Sequence, residues 1–367
     1  MSIQFVDLKA QYHLIKEEID TAIQNVINET AFIKGKYVQK FEEEYSETYG
    51  VKHVISCANG TDAIYITLKA LDIGPGDEVI TVSNTWISTS ETITQTGAKP
   101  VFVDIHPDYY TIDFSKIEEK ITAKTKAIIP VHLFGHPAEM DAILNICKLH
   151  NLLLVEDCAQ AHFAEWKGKR VGTMGIAGTF SFFPGKNLGA YGDAGCIVTN
   201  DDELAEKMRR FSRHGALGKH DHELEGINSR LDGLQAAILS VKLKYIHKWT
   251  DLRIHHAEKY NKMLGEISNV ITPATHQDAK NVFHLYVIRI QQRSELQVYL
   301  KEKDISSGIH YPTPLPFLKA YDYLGHKPED FQVSYKYCNE ILSLPMFPEL
   351  KKNQIIYICK SIKQFYE

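Results

Sequence analysis

Between residues 53 and 199 the sequence alternates short apolar runs with longer stretches of helical spacing, and this alternation restricts the possible fold most strongly. Strands separated by helices favour a largely parallel sheet with helices on both faces. Sheets of this kind bind ligands outside the carboxyl ends of their strands. The predicted strands are 53–58, 78–82, 100–105, 127–133, 152–156, 179–183 and 196–199. The sequence therefore predicts an α/β fold with a ligand crevice along one edge of its sheet.

The flanking segments predict an N-terminal cover of helices and a second, smaller domain. Apolar residues recur at helical spacing near 15–26 and 38–45. Later segments predict a long helix from Asp232 towards Leu264, a linker at 269–280, a strand at 282–290 and helices at 294–303 and 353–365. A single core rarely grows beyond ~250–300 residues, and this chain has 367. We therefore expect a large domain over 1–245 and a small C-terminal α/β domain over 246–367.

Composition and charge argue against nucleic-acid and membrane partners. The chain has 41 Lys+Arg and 46 Asp+Glu, a formal net charge of -5, with no basic stripe. The N-terminus is polar, and no stretch approaches the ~18 apolar residues of a membrane span. The six cysteines are scattered without a C-x-x-C pair, which favours reduced, buried thiols over metal ligands. A cytoplasmic location is the resulting expectation.

The segment 179–189 ends an apolar strand in a tight turn that carries Lys186. At the carboxyl end of such a strand, Lys186 would face the ligand crevice. Partial desolvation there lowers the pKa of a lysine and makes its amine a nucleophile towards an aldehyde. Taken alone, a solvated turn lysine is the commoner interpretation.

A second buried strand, 152–156, leads into Asp157, whose carboxylate could pair with a pyridinium nitrogen. A protonated ring nitrogen lets pyridoxal 5′-phosphate accept electron density from a substrate carbanion. Without Lys186, Asp157 could equally cap the chain that follows it. Together, the two residues are explained by one aldehyde cofactor.

A phosphate seat is predicted at 57–63, where the first strand turns into a helix. The free N–H groups and the positive end of a helix attract a dianion. Gly60 permits close approach and Thr61 adds a hydroxyl, although plain N-capping by Asn59 or Thr61 predicts the same pattern. Trp86 follows the next strand and could lie over a flat heteroaromatic ring, or be a core residue.

The sequence resembles the DegT/StrS-type sugar-nucleotide aminotransferases, which have the aspartate-aminotransferase fold (PLP fold type I). The similarity extends over essentially the whole chain. Its most specific blocks are 156–162, 181–189 and 226–237.

The resemblance implies pyridoxal 5′-phosphate bound to Lys186 as a Schiff base, with Asp157 at the pyridine nitrogen. It implies that Gln160 lies near the ring and that Trp86 occupies the stacking position. The phosphate contacts that it implies are Gly60, Thr61, Ser181 and Asn228, the last from the neighbouring subunit of a homodimer with shared active sites. Arg230 would lie close by. From the residues alone, Asn228 and Arg230 could instead cap the helix that follows.

Substrate contacts are also implied. Lys186 stands where related dehydratases have histidine, which favours transamination. The segment 308–314, with His310 and Tyr311, resembles the sugar-contacting segment of members that aminate C3, although a histidine in a Pro-rich turn is more often structural. Phe183 stands where some deoxysugar 3-aminotransferases have tyrosine. Lys219 could meet the diphosphate or be solvated.

The resemblance therefore implies transamination of a nucleotide-linked 3-keto-sugar with glutamate as donor, in surface-glycan (lipopolysaccharide, O-antigen) or deoxyaminosugar biosynthesis. A dTDP-3-keto-6-deoxyhexose is favoured. A UDP-linked 2-acetamido-3-keto-glucuronate and a 4-keto-sugar nucleotide are the alternatives. Two further hypotheses about function stay open. The protein could bind pyridoxal phosphate as a sensor or regulator without turnover, or it could be a relative of these enzymes that has lost its cofactor.

Overall fold

A computed structural model describes residues 2–367 of the chain. It begins with three helices, α1 (Leu8–Leu14), α2 (Lys16–Asn28) and α3 (Lys36–Tyr49). The Asp7 side chain caps α1 by accepting from the backbone N–H of Ala10 at 2.9 Å. Helix α3 ends at Gly50, whose φ of 78° is the left-handed conformation that glycine adopts most readily. The buried side chains of α3 recur every three or four residues, so this helix covers the core with one face.

The central feature is a sheet of seven strands, which confirms the predicted α/β class. The first nine strands along the chain are β1 (His53–Cys57), β2 (Glu78–Val82), β3 (Lys99–Val103), β4 (Thr125–Ile129), β5 (Leu153–Asp157), β6 (Glu165–Trp166), β7 (Lys169–Arg170), β8 (Ala177–Ser181) and β9 (Gly195–Thr199). The seven-stranded sheet has the order β1-β9-β8-β5-β4-β2-β3. Strand β9 is antiparallel to both of its neighbours, and the other four pairings are parallel.

Helices cross between the parallel neighbours β2 and β3 and between β4 and β5, whereas β5 and β8 are joined through the short strands β6 and β7. The helices in this part of the chain are α4 (Gly60–Ala70), α5 (Ser88–Gln95), α6 (Met140–His150) and α7 (Asp202–Phe211). Strands β2 and β9 are buried along their whole length, as expected for a sheet covered on both faces. Because β5 and β8 are parallel neighbours, the residues that follow them meet at one edge of the sheet.

The remaining elements are α8 (Gly233–Leu243), α9 (Ile246–Leu264), β10 (Ala279–Lys280), β11 (Tyr286–Arg289), α10 (Arg293–Glu302), α11 (Gln332–Tyr337), β12 (Ile341–Leu344) and α12 (Lys352–Tyr366). Strands β11 and β12 form a separate antiparallel pair. Ile3 forms a parallel bridge with Ile305 and is buried among the apolar residues of this C-terminal part. The domain division at 245/246 stays a prediction.

Three sequence expectations need correction. The long helix is two helices, because the N–H of Tyr245 donates to the carbonyl of Lys242 at 3.0 Å and so tightens the chain out of the α-helical pattern. The strand expected at 282–290 is shorter and consists only of β11. The start of the expected strand pairs with the loop at Gly135 instead, because the N–H of Val282 donates to the carbonyl of Gly135 at 3.1 Å. The segment 269–280 is not purely a linker, because it contains β10.

All six cysteines are free and buried. Within residues 2–367, no helix combines the length and apolar character needed to cross a bilayer.

Candidate active site

Asp157 is the last residue of β5 and is 4% exposed. Its Oδ2 accepts a hydrogen bond from Thr89 Oγ1 at 2.7 Å, and its Oδ1 accepts from the N–H of Ala159 at 3.1 Å. Burial raises the pKa of the Asp157 carboxyl, while these two donors and the charge of Lys186 lower it. A buried carboxylate held in this way is suited to a cationic partner.

Lys186 lies in the turn that follows β8, although β8 ends at Ser181 rather than at the expected residue 183. The turn is closed by the N–H of Lys186, which donates to the carbonyl of Phe183 at 2.8 Å. Burial lowers the pKa of the amine to about 8, against the opposing charge of Asp157. A larger share of the amine is therefore neutral near pH 7 than in an exposed lysine, and the neutral amine is the nucleophilic form.

The start of α4 forms a cradle against the end of β8. A Cβ atom added to Gly60 would lie 2.7 Å from the Cβ of Ser181, so only glycine fits here. Asn59 Oδ1 accepts from the N–H of Asp62 at 2.8 Å, and the hydroxyl oxygens of Thr61 and Ser88 lie 2.7 Å apart. Capping by Asn59, the simpler interpretation of this segment, is thus present beside the features that fit a phosphate. Helix N-terminal N–H groups and two hydroxyls suit a dianion.

Trp86, Gln160 and Tyr311 form one group at the rim of the crevice. The amide Nε2 of Gln160 donates to the hydroxyl of Tyr311 at 2.9 Å, and its Oε1 accepts from the N–H of Phe134 at 2.8 Å. The rings of Trp86 and Tyr311 lie 5.8 Å apart. Trp86 is 59% exposed, so it is not a core residue in this chain.

Three histidines lie close enough to Lys186 for its charge to affect their pKa values, and of these only His310 was singled out from the sequence. Burial and, to a smaller extent, the nearby charge of Lys186 together lower the pKa of His162 and of His310 to about 4. The same two causes lower the pKa of His284. His310 Nδ1 lies 2.8 Å from Ser343 Oγ, and His284 Nδ1 lies 3.2 Å from Asn187 Oδ1. All three rings are therefore neutral near pH 7.

His162 supports the end of β8 directly. Its Nε2 lies 2.9 Å from the carbonyl oxygen of Ser181, so Nε2 carries the proton and donates. Its Nδ1 then accepts from the hydroxyl of Tyr45 at 3.1 Å. The signal for His162 was present in the sequence block 156–162, whereas nothing in the sequence distinguished His284.

Asn228 and Arg230 lie in a segment that contacts the start of α4. Ser229, between them, accepts from the N–H of Ala58 at 3.0 Å and donates to Asp62 Oδ2 at 2.6 Å. Asn228 itself is exposed and Arg230 is half-buried. Asp232 precedes α8 as its N-cap residue.

Arg230 belongs to a group of cations that also includes Lys34 and Arg213. Burial lowers the pKa of Lys34, and the charges of Arg213 and Arg230 lower it further, which places three cations close together. Lys219 is an exposed residue. Its role towards a diphosphate stays a prediction.

Glu156, beside Asp157, belongs to a buried group with His132 and Cys158 whose spacing could suit a metal ion. The carboxylate of Glu156 already accepts from the N–H groups of Gly172, Met174 and Gly175 at 2.7 to 2.8 Å. His132 Nε2 donates to it as well, at 3.1 Å, since His132 Nδ1 accepts from the N–H of Ala138. These donors fit a structural carboxylate that fixes the chain after β7.

With this geometry established, comparison with known proteins places the chain. The model of the DegT/DnrJ/EryC1/StrS aminotransferase family matches residues 13–363. The chain belongs to this family. This membership confirms the expected family, its PLP-dependent aminotransferase class and its fold.

Several relatives match along nearly their whole length. The chain is 48% identical to a "Pleiotropic regulatory protein" of Geobacillus stearothermophilus, covering 100% of this chain and 99% of the relative. It is 41% identical to the "UDP-2-acetamido-2-deoxy-3-oxo-D-glucuronate aminotransferase" of Pseudomonas aeruginosa, covering 98% and 99%. It is 38% identical to the "dTDP-3-amino-3,4,6-trideoxy-alpha-D-glucose transaminase" of Streptomyces venezuelae, covering 100% and 96%.

Solved structures agree with these relationships. DesV of S. venezuelae, determined in complex with a ketimine intermediate, superposes with a TM-score of 0.98 at 38% identity, covering 100% of this chain and 99% of DesV. The ntda protein of Bacillus subtilis, determined with bound cofactor PMP, superposes with a TM-score of 0.90 at 31% identity, covering 98% and 85%.

Proposed function

We propose that this protein transfers an amino group to C3 of a keto-sugar linked to a nucleoside diphosphate, with pyridoxal phosphate bound covalently to Lys186. The observation that carries the proposal is the convergence of Lys186 and Asp157 at the ends of two neighbouring strands, close enough for each charge to affect the pKa of the other. The cradle of Gly60 and Ser181 lies at the end of the same strand that leads to Lys186. One phosphorylated aldehyde would account for all four residues.

When bound, the cofactor supplies an electron-poor ring that stabilises negative charge at the substrate carbon. Asp157 would favour the protonated form of the ring nitrogen through charge and hydrogen bonding. Gln160 is anchored by Phe134 and Tyr311 and would orient the ring from the side. Trp86 offers an exposed indole at the rim that can cover a ring face.

Lys186 is the residue that would move protons. Its amine, with a pKa of about 8, can both accept and return a proton near neutral pH. The neutral rings of His162, His284 and His310 add no positive charge beside the amine. Lys186 would therefore act as covalent anchor first, and as acid and base once it is displaced.

The substrate is proposed to be a dTDP-3-keto-6-deoxyhexose, with glutamate as amino donor. The S. venezuelae relative supports a dTDP-sugar by its name. The P. aeruginosa relative supports the alternative, a UDP-linked 2-acetamido-3-keto-glucuronate, whose carboxylate would need an added cation. A 4-keto-sugar nucleotide is a further alternative. His310, Tyr311, Arg230 and Lys219 are the proposed substrate contacts.

We further propose a homodimer in which Asn228 and Arg230 complete the partner's site, acting in the cytoplasm in surface-glycan or deoxyaminosugar synthesis. The exposure of Asn228 in the single chain supports this arrangement, because an exposed amide is free to reach a second subunit.

A regulatory role without turnover is the second candidate, favoured by the name of the Geobacillus relative. Adding glutamate to the purified, cofactor-loaded protein separates the two. The proposed enzyme will exchange the visible absorption of the lysine-bound cofactor for the near-ultraviolet absorption of its amine form, with release of 2-oxoglutarate. A protein that only binds the cofactor will keep its visible band.

The sugar is then identified in the reverse direction. Protein loaded with cofactor is mixed with 2-oxoglutarate and each amino-sugar nucleotide in turn, with the dTDP-3-amino-6-deoxyhexose, the UDP-linked 3-amino uronate and a 4-amino sugar as the three arms. The largest kcat/KM is expected for the dTDP-3-amino sugar. A clear preference for either other arm would replace the proposed substrate.

A further inference from the structure

Helix α5 begins with three hydroxyl residues whose side chains reach three different parts of the molecule. Ser88 Oγ lies 2.7 Å from Thr61 Oγ1 in the phosphate cradle. Thr89 Oγ1 donates to Asp157 Oδ2 at 2.7 Å. Ser90 Oγ accepts from the hydroxyl of Tyr321 at 2.7 Å. This single turn therefore contacts the cradle and the buried acid at the same time.

Thr89 makes the most consequential of these contacts. Its side chain is 1% exposed, and the carboxylate that it meets is 4% exposed, so water does not compete for this hydrogen bond. A carboxylate only accepts, which means that the threonine hydroxyl is the donor. With Ala159 N–H on the other oxygen, each oxygen of Asp157 has one donor from the chain and retains a lone pair for another.

We propose that Thr89 is a positioning residue that fixes the Asp157 carboxylate, and keeps it ionised, for the ring nitrogen of the cofactor. This inference rests on the proposed function and deepens it. A buried carboxylate with one donor removed binds its proton more tightly, because burial penalises the charged form. The proton shared between Asp157 and the ring nitrogen would then shift towards Asp157.

The consequence would be measurable on the cofactor itself. A ring with less positive charge withdraws fewer electrons, so the nitrogen that joins the cofactor to Lys186 becomes more basic. The pH at which the visible band changes would rise. Substrate carbanion would also be stabilised less, which lowers kcat.

The chain offers a matched control on the same helix. Thr92 is fully buried, and its hydroxyl donates to the backbone carbonyls of Ser88 and Thr89 at 2.8 and 3.2 Å. Thr92→Val removes a buried hydroxyl of the same type without touching Asp157. Thr89→Val removes the hydroxyl that meets Asp157, and Thr89→Ser keeps it.

The experiment is a pH titration of the visible cofactor band in the wild-type protein and these three variants, together with the dissociation constant of pyridoxal phosphate and kcat. For Thr89→Val we expect the midpoint to rise by about one pH unit and kcat to fall about tenfold. Thr89→Ser and Thr92→Val are expected to keep the wild-type midpoint.

A wild-type midpoint in Thr89→Val would overturn the inference, as would an equal shift in Thr89→Ser or Thr92→Val. If Thr89→Val does not fold, Thr89→Ala removes the same hydroxyl with a smaller side chain and decides by the same criterion. A wild-type protein that never develops a visible band would instead refute the proposed function, and the inference with it.

Discussion

Gly60 and Ser181 pack so closely that a side chain on Gly60 would not fit between them, since an added Cβ would lie 2.7 Å from the Cβ of Ser181. This contact joins the start of α4 to the end of β8. Helix α4 begins at the proposed phosphate site, and β8 leads into the turn that carries Lys186. The tight approach explains why a glycine is required at a helix start that could otherwise accept many residues.

Gly60→Ala tests this contact. The added methyl must push β8 and α4 apart, at a cost of about 1–3 kcal/mol, so we expect the dissociation constant of pyridoxal phosphate to rise about tenfold or more. Gly74→Ala is the control, because the nearest atom to an added Cβ there is 3.7 Å away. Equal cofactor affinity in wild type and Gly60→Ala would contradict the proposed phosphate seat.

The lowered pKa of Lys186 predicts how the cofactor-free protein takes up pyridoxal phosphate. Only the neutral amine attacks the aldehyde, so the rate should rise with pH and level off above about 8. The comparison is a model amine with the ordinary lysine pKa of about 10.4, whose rate keeps rising over this range. Stopped-flow absorbance at a series of pH values measures both. A protein profile that follows the model amine would refute the buried setting of Lys186.

The sequence predicted those parts of the site that depend on local patterns, and it did not predict contacts between residues far apart along the chain. Lys186 and Asp157 were identifiable because each follows an apolar strand, and parallel strands bring their carboxyl ends to one edge of a sheet. Thr89 was not, because its hydrogen bond with Asp157 joins residues 68 positions apart. The partner of a buried hydroxyl is set by the packing of α5 on the sheet, which local spacing does not encode.

The same limit applies to the fold. The alternation of apolar and helical segments was enough for the sheet, yet it gave no sign that β9 runs antiparallel to its neighbours. The break between α8 and α9 was not predicted either, because the residues at the break, Lys244 and Tyr245, are neither glycine nor proline. Tyr245 instead donates a hydrogen bond from its hydroxyl to Glu18 on α2, and such a distant contact is not visible in the local pattern.

Lys242 on α8 is a buried lysine, and its contribution to the free energy of unfolding should depend on pH. Its amine donates to the carbonyl of Gly189 and lies 5.1 Å from the ring centre of Tyr191. Burial lowers its pKa from 10.5 to about 7, against the opposing charge of Glu349. Between these two values the unfolded chain binds more protons than the folded one, so this residue makes the protein more stable as pH rises.

Lys242→Met removes that dependence. On going from about pH 9 to about pH 6, the wild type should lose about 2–3 kcal/mol more unfolding free energy than the variant. Urea denaturation of both proteins at the two pH values measures the difference. Lys244→Met serves as control, because Lys244 is exposed and paired with Glu18 at 3.0 Å. If the wild type and Lys242→Met lost equal amounts of unfolding free energy between the two pH values, Lys242 would not be desolvated.

A site shared between subunits predicts that two inactive variants restore each other. Lys186→Ala and Asn228→Ala should each have little activity alone. When they are unfolded together and refolded, half of the dimers are mixed, and one of the two sites in each mixed dimer has both residues intact. About a quarter of the wild-type activity per site is therefore expected. No recovery, with mixed dimers demonstrated by mass spectrometry, would show that Asn228 serves its own subunit.

Chemical trapping would show directly whether pyridoxal phosphate is bound covalently to Lys186. The loaded protein is reduced with borohydride, digested and sequenced by mass spectrometry. We expect one stable phosphopyridoxyl group per chain, attached to Lys186. A protein labelled on another lysine, or on none, would contradict it.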